Sequence, residues 1–310
     1  MKEKLKSFRE LGVICVLIAL IILLTIARPV FISPTNFINV VRQTVQIGIM
    51  AVGKTFLIIS GEMDLSVGSI FGTTGMLAAT LYKSNVNPTV AFLVAILVGC
   101  AIGLLNGILV TKTKIPAFIA TLGTMKIFRS VTQELTKTFN PEVPAAFKQL
   151  ASFKIGGQVV LPIFYWIIVV IVMYIIFKKT AFGRQTIAIG SNEKAAKLSG
   201  INVSRVKRRI YALGGVMTAI AAIIYIARIG SMDFANAGNG YEMDAIAAVV
   251  VGGTSMAGGK GFLVGAFIGM LIIGVMNNIL NTVGVPTFLC DAVKGVIIIF
   301  AVLMQRKDQA

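Results

Sequence analysis

The chain has 310 residues, of which 56% are apolar and only 13% charged, where an ordinary soluble domain carries about 25% charge. Disorder and a water-soluble globule are both excluded, and the composition is that of an all-α polytopic membrane protein. Lys and Arg number 29 against 12 Asp and Glu, a formal charge of +17, and His is absent, which removes the commonest general base and the commonest zinc ligand together.

Taken in chain order, Leu11 to Ala27 is the first apolar run, preceded by Lys2, Lys4, Lys6 and Arg9. It is just long enough to cross a bilayer. No small-x-small cleavage site precedes Arg28-Pro29, so it reads as an uncleaved first helix. Further spans are predicted at Val41 to Ser60, Val67 to Tyr82, Pro88 to Val110, Pro116 to Thr136, Leu161 to Phe177, Ile210 to Arg228, Tyr241 to Ala257, Phe262 to Leu280 and Pro286 to Met304. That makes about ten transmembrane helices. Threading them from an inside start leaves residues 1–10, Thr111 to Ile115, Lys178 to Arg209, Gly258 to Gly261 and the tail on the cytoplasmic side. Those segments hold most of the Lys and Arg, as the positive-inside bias requires. Both termini are expected in the cytoplasm, and the basic excess marks loops, with no nucleic acid implied. The two long loops, Lys137 to Val160 outside and Lys178 to Arg209 inside, are too short to be soluble catalytic domains.

The sequence also repeats itself at an offset of about 170 residues: Gly61-Glu62-Met63-Asp64 answers to Gly230-Ser231-Met232-Asp233, and Gly103-Leu104-Leu105-Asn106 to Gly274-Val275-Met276-Asn277, each Asn followed by a proline, Pro116 or Pro286. The first unit, spans two to five, begins outside and the second, spans seven to ten, begins inside. Inverted repeats are a signature of transporters, with the substrate path between the halves.

Between Ser60 and Ser69 two carboxylates, Glu62 and Asp64, and three hydroxyls interrupt the hydrophobic run. Charge facing lipid costs several kcal/mol, so this segment is expected to face protein, water or a pathway. Gly61 and Gly68 permit a broken or re-entrant helix, with Ser66 placed to cap the helix that restarts; the alternative is a short cytoplasmic turn whose acids are wet. A second polar stretch, Gly252 to Gly261, joins spans eight and nine and is either unwound backbone able to meet a ligand or a flexible loop. Gly99, Gly103 and Gly107, and again Gly261, Gly265 and Gly269, recur every four residues and predict close helix contacts. Asn106, Asn277 and Asn278 near these faces bond across helices or line a polar route.

Gly48 to Thr55 fits the pattern GxxxxGK[ST] of phosphate-binding loops. That loop requires a strand before it and a helix after it, whereas this segment lies inside span two, so nucleotide binding is refused. The pattern leaves Lys54 without a partner. Cys15, Cys100 and Cys290 lie far apart in apolar runs and read as buried small hydrophobes, with no disulfide or metal site.

Inside the basic loop, Ser191 or Asn192 caps a two-turn helix, Glu193 suits its positive end and Gly200 stops it. Its small Ala195 and Ala196 suit insertion into a partner's groove, or the loop is a basic tether that fixes topology.

Four strings, SGEMDLSVGS (60–69), PAFIATLG (116–123), GSNEKAAKLSGINV (190–203) and YEMDAIAAVVVGGTSMAGGKG (241–261), resemble the membrane permease subunit of bacterial ABC importers for sugars of the ribose, xylose and arabinose class. The likeness runs from about residue 40 to residue 304. The usual first string of that family has Gly followed by an aliphatic residue where Glu62 and Met63 stand, a departure that adds an acid near the path and leaves the sugar unassigned.

The resemblance implies one transmembrane permease domain over residues 1–310, with repeat units at about 41–136 and 210–304 and a coupling loop at 178–209. It implies a multi-pass location in the bacterial inner membrane, a second permease copy as homodimer or heterodimer, an ABC ATPase subunit and an extracytoplasmic sugar-binding protein. Gly190, Asn192, Glu193, Ala195, Ala196, Ser199 and Gly200 are carried over as the ATPase-coupling segment. Chosen on polarity and repeat position, Glu62, Asp64, Ser66, Asn106, Asp233 and Asn277 are path candidates. No catalytic residue, metal or cofactor is expected, and ATP hydrolysis falls to another chain. An ion-coupled transporter using Glu62, Asp64, Asp233, Asp244 and Asp291 is the alternative, and an intramembrane carboxylate protease is a third.

Overall fold

A computed structural model describes residues 14–15, 17–19, 21–22, 33–113, 115–135, 139–152, 154–155, 157–286, 289–296 and 299. Much of the first predicted span, the tail and the end of the last span, 301–304, lie outside these residues, as do Thr136 and Lys137.

Helix α1, Pro34–Ile59, starts seven residues before its predicted span because Ser33 caps it, accepting from the Asn36 amide at 3.3 Å with Pro34 at the first helical position. It is buried continuously from Thr44 to Ser60 and forms the axis of the bundle. Helix α2 is Val67–Lys83, α3 is Pro88–Lys112 and α4 is Ala117–Glu134. The long outer loop then holds a single-turn helix α5, Ala145–Lys148, and a two-stranded antiparallel ribbon, β1 Lys154–Ile155 and β2 Gln158–Val159. Helix α6, Leu161–Lys179, follows.

The predicted basic loop is more ordered than the sequence suggests. It contains α7, Ala181–Ser191, and α8, Glu193–Leu198, before α9, Val203–Ile229. Asn202 caps α9 by accepting from the Arg205 amide at 3.0 Å, which starts that helix seven residues before its apolar run. Helix α10, Tyr241–Val251, is shorter than predicted: the chain turns at Gly252 and Gly253, the latter at φ +87°. Eleven residues rise about 16 Å, roughly half a hydrocarbon core. Helix α11 is Leu263–Val283, and residues 289–296 are helical.

Among the described residues four helices, α3, α6, α9 and α11, have the length and apolarity to cross a membrane. On α6, Phe164, Ile168, Ile171 and Ile175 are exposed, and on α3 Leu93, Leu97, Leu104 and Leu105. Apolar side chains in continuous outward stripes belong in lipid. By contrast α1 carries Arg42, Gln43, Gln46 and Lys54, and from Thr44 onward it is enclosed by protein.

The glycine stripes do what their spacing predicts. A Cβ at Gly99 would strike the Gly215 carbonyl, one at Gly103 the Tyr211 carbonyl and one at Gly107 the Arg208 backbone, so α3 lies directly on α9. Gly265 and Gly269 abut Gly252 and Ala248, seating α11 on α10, while Gly261 meets Ile59. Each long helix, α1 and α9, ends in a left-handed glycine, Gly61 at φ +79° and Gly230 at φ +88°, followed by a non-helical stretch and a shorter helix. Gly274 of α11 packs on Thr44 of α1, as Gly103 of α3 packs on α9.

The phosphate-loop pattern is helical throughout, and its glycines are packing contacts: Gly48 lies under the Trp166 ring and Gly53 against Met217. Of the cysteines only Cys290 is buried; Cys100 is half-buried and Cys15 exposed. The expectation of three buried thiols is corrected, since the faces of their helices, and not apolar neighbours in sequence, decide exposure.

Candidate translocation and coupling site

The Gly61 turn lets the chain run back into the bundle after α1, so Asp64 and Ser66, at the start of α2, are fully buried instead of wet. Asp64 Oδ1 accepts from the Ser66 amide at 2.7 Å and the Ser66 hydroxyl at 2.6 Å. Asn106 of α3 donates to Ser66 Oγ at 2.7 Å. Ser66 occupies the N-cap position of α2, yet its hydroxyl makes no cap bond; the predicted cap is corrected, because the Asp64 carboxylate claims that hydroxyl. Thr121 of α4 accepts from the Leu65 amide at 3.1 Å.

Lys54, 1% exposed, finds its partners here. Its ammonium donates to the Asp64 carbonyl and, at 3.5 Å, to the Glu242 carbonyl at the start of α10. A buried cation is tolerable only with such partners. The core cluster thus joins both repeat units, and two of its carboxylate oxygens, Asp64 Oδ2 and Glu242 Oε2, are buried with no hydrogen-bond partner among the described residues.

Glu62 points elsewhere. Its Oε1 pairs with Lys207 of α9 at 2.5 Å, and Lys207 also holds Glu193 of α8 at 2.8 Å. Tyr211 donates to Glu62 Oε2 at 3.3 Å and to the Met63 carbonyl at 3.2 Å. The acid that departs from the usual string is therefore the link between the re-entrant turn and the basic helices.

Helix α8 is built as its sequence suggests. Asn192, and not Ser191, is the cap, accepting from the Ala195 amide at 3.0 Å, while Ser191 Oγ donates back to Ile187. Gly200, at φ +82°, ends the helix, with Ser199 bonded to the Ala195 carbonyl at 3.0 Å. Ala195 is exposed and Ala196 buried. Gly190, at the end of α7, sits where three segments meet backbone to backbone: a Cβ there would overlap the Ile59 carbonyl and the Gly259 nitrogen. The Gly259 amide donates to the Ile59 carbonyl at 2.8 Å, and Gly258 lies against Gly190 and Gly61. Both polar glycine stretches, so far apart in sequence, thus converge on the end of α7.

Of the remaining path candidates, Asp233 caps its own turn, accepting from the Ala235 amide at 2.9 Å and from Asn236 at 3.2 Å. Asn277 of α11 lies in a cavity of about 500 Å³ with Gln46, Arg228, Tyr241, Asp244 and Lys294. Lys294 pairs with Asp244 at 3.0 Å and with Asp291 at 3.4 Å. The structure thus unites Asp64, Ser66 and Asn106 and sets Glu62, Asp233 and Asn277 apart from them.

Sequence reasoning missed Lys207, Leu198 and Gln46. Lys207 was hidden in a run of basic residues, and the isolated Gln46 had no motif around it. Leu198, 90% exposed on an otherwise polar helix, was legible as an apolar residue on the wrong face.

A bundle jacketed in apolar side chains, with charges sealed inside it and a basic helical pair at one end, defines a multi-pass membrane protein. The chain belongs to the family described as branched-chain amino acid transport system / permease component, which matches residues 36–302. It is 42% identical over 307 residues to the ribose import permease protein RbsC of Bacillus subtilis strain 168, covering 97% of this chain and 94% of that one. The RbsC of Escherichia coli K12 is 43% identical over 302 residues, 94% and 93% of the two chains. The galactose/methyl galactoside import permease protein MglC of Escherichia coli K12 is 35% identical over 333 residues, 100% and 97%. No solved structure matches the chain. These relatives agree with the resemblance carried by the four sequence strings.

Proposed function

We propose that this chain is the pore-forming subunit of an ATP-driven importer of a monosaccharide, working as a pair of permeases with a separate ATPase and an extracytoplasmic binding protein. The convergence at Gly190 supports it most directly: the re-entrant turn after α1 and the glycine turn after α10 both rest on the end of α7, which leads straight into α8. Any push on α8 reaches both repeat units there. Exposed Leu198 offers the apolar anchor that a docked partner would cover.

In this reading the basic end is cytoplasmic, the termini lie on that side, and about ten helices cross the inner membrane. The two units are inverted, which accords with the matched packing of α3 on α9 and α11 on α1. Gly190, Asn192, Glu193, Ala195, Ala196, Ser199 and Gly200 form the coupling segment, with Lys207 tying it to Glu62. The names of the relatives point to ribose or galactose as cargo.

Replacing Leu198 with Asp tests the docking surface without touching the core. Association with the ATPase should weaken on the order of thirtyfold, the loss typical of a central anchor, and uptake should fall with it while the chain keeps its thermal stability. Uptake that persisted after every ATPase subunit had been stripped away would refute the reading. The same vesicles test the ion-coupled alternative, for which the unpartnered oxygens of Asp64 and Glu242 are the relevant observation: a Na⁺ or proton gradient alone would then drive accumulation.

A further inference from the structure

The cavity around Asn277 lies about 20 Å along α1 from the Gly190 junction, counting from Ile59 back to Gln46. Its walls come from α1, α9, α10, α11 and residues 290–294, so both repeat units contribute. Its volume of about 500 Å³ falls in the range of small-molecule sites. A second cavity, of about 440 Å³, is lined by Tyr82, Phe92, Tyr165, Ile168 and other mostly apolar residues beside the lipid-facing helices, and it offers a polar solute little.

Gln46 is 4% exposed and lines the cavity together with Tyr241. Its Oε1 is buried with no partner among the described residues, and so is Arg228 Nε. Both side chains line the cavity, and each keeps hydrogen-bonding capacity that the protein leaves unused, at a cost in stability. The Arg228 guanidinium lies 5.7 Å from the Tyr225 ring centre, and the Tyr225 and Tyr241 rings supply flat apolar surface beside the polar atoms. The charged lining consists of Arg228 and Lys294 against Asp244 and Asp291, so it is neutral in sum.

A ring compound with hydroxyls on its edge and C–H groups on its faces matches that arrangement: hydroxyls both donate and accept, and the balanced charge penalises an anion or a cation. We infer that this cavity is a transient binding site for one neutral monosaccharide, with Gln46, Arg228 and Asn277 meeting its hydroxyls and Tyr241 its apolar face. The inference rests on the importer reading and adds to it a binding step inside the permease itself.

Cys290 lines the cavity and is 6% exposed, which provides a native reporter. In the full chain carrying Cys15→Ser and Cys100→Ser, held in lipid nanodiscs, the rate at which a small cationic methanethiosulfonate modifies Cys290 should fall several-fold with D-ribose or D-galactose. Ribose 5-phosphate and sucrose should give no protection. With Gln46→Met, which keeps the side-chain length and removes the amide, the sugar needed for half-protection should rise about tenfold, the usual loss for a site built to hydrogen-bond. Equal protection by ribose 5-phosphate, absence of protection by any monosaccharide, or a Cys290 that never reacts would each overturn the inference. ATP-driven uptake by the assembled importer is measured separately. If uptake persists while Cys290 is unprotected, the binding site falls and the importer stands; protection without ATP-driven uptake would leave the site and remove the importer.

Discussion

Asn106 and Asn277 occupy equivalent places in the two sequence repeats, yet the protein treats them differently. Asn106 is fully buried and donates to Ser66, which donates in turn to Asp64. Asn277 lines open space beside the unpartnered Gln46 Oε1. Polarity at membrane depth therefore does not distinguish a lock from a lining; the difference lies in how closely the neighbouring helices pack around the side chain. Around Asn106, α3 is pressed onto α9 by glycines, leaving no room. Around Asn277, beside the Tyr241 end of α10, the cavity opens.

Three substitutions probe that contrast. The largest effect is expected for Asp64→Ala, which strips the Ser66 amide and hydroxyl of their acceptor and removes a negative charge from the surroundings of the buried Lys54 ammonium. A loss of about 3–5 kcal/mol is the scale for breaking such a buried arrangement, and thermal unfolding in detergent should show it; a shift indistinguishable from wild type would mean that the network is not structural. Asn106→Leu should cost about 2 kcal/mol, because Ser66 loses its donor within a packed core. Asn277→Leu is the counter-case. Stability should stay within about 0.5 kcal/mol, while sugar protection of Cys290 weakens. Should Asn277→Leu unfold the chain as readily as Asn106→Leu, the distinction between the two regions would be void.

The apolar spans, the cap of α8 and the glycine stripes were legible in sequence because each is a local pattern with a local cause. Asn192 caps because its side chain can reach the Ala195 amide three residues on. The stripe at Gly99, Gly103 and Gly107 predicted close contact, although not that α9 would be the partner. Boundaries were read less well: apolarity marked where α9 becomes hydrophobic, at Ile210, whereas Asn202 decides where it begins to be helical. The end of α10 at Gly252 was placed too late, at Ala257, although the polar glycine stretch that begins at Gly252 marks the turn. The site divides in the same way. The Ser60–Ser69 string advertised itself by its charges, but the fate of each acid depended on distant groups: Lys207, 145 residues beyond Glu62, and Asn106 on another helix. Gln46, Arg228 and Tyr241 share no motif, and only the folded bundle brings them to one cavity.

Where Ile59, Gly190 and Gly259 touch, peptide groups meet with no side chain between them. Side chains can swing to another rotamer and absorb a displacement, but peptide planes in direct contact cannot, and close-packed interiors compress little. A tilt of the short amphipathic pair at the basic end would therefore arrive at both halves of the bundle undiminished and at the same moment. On the proposed importer reading, the two halves would move together through three residues, two of them lacking even a methyl group.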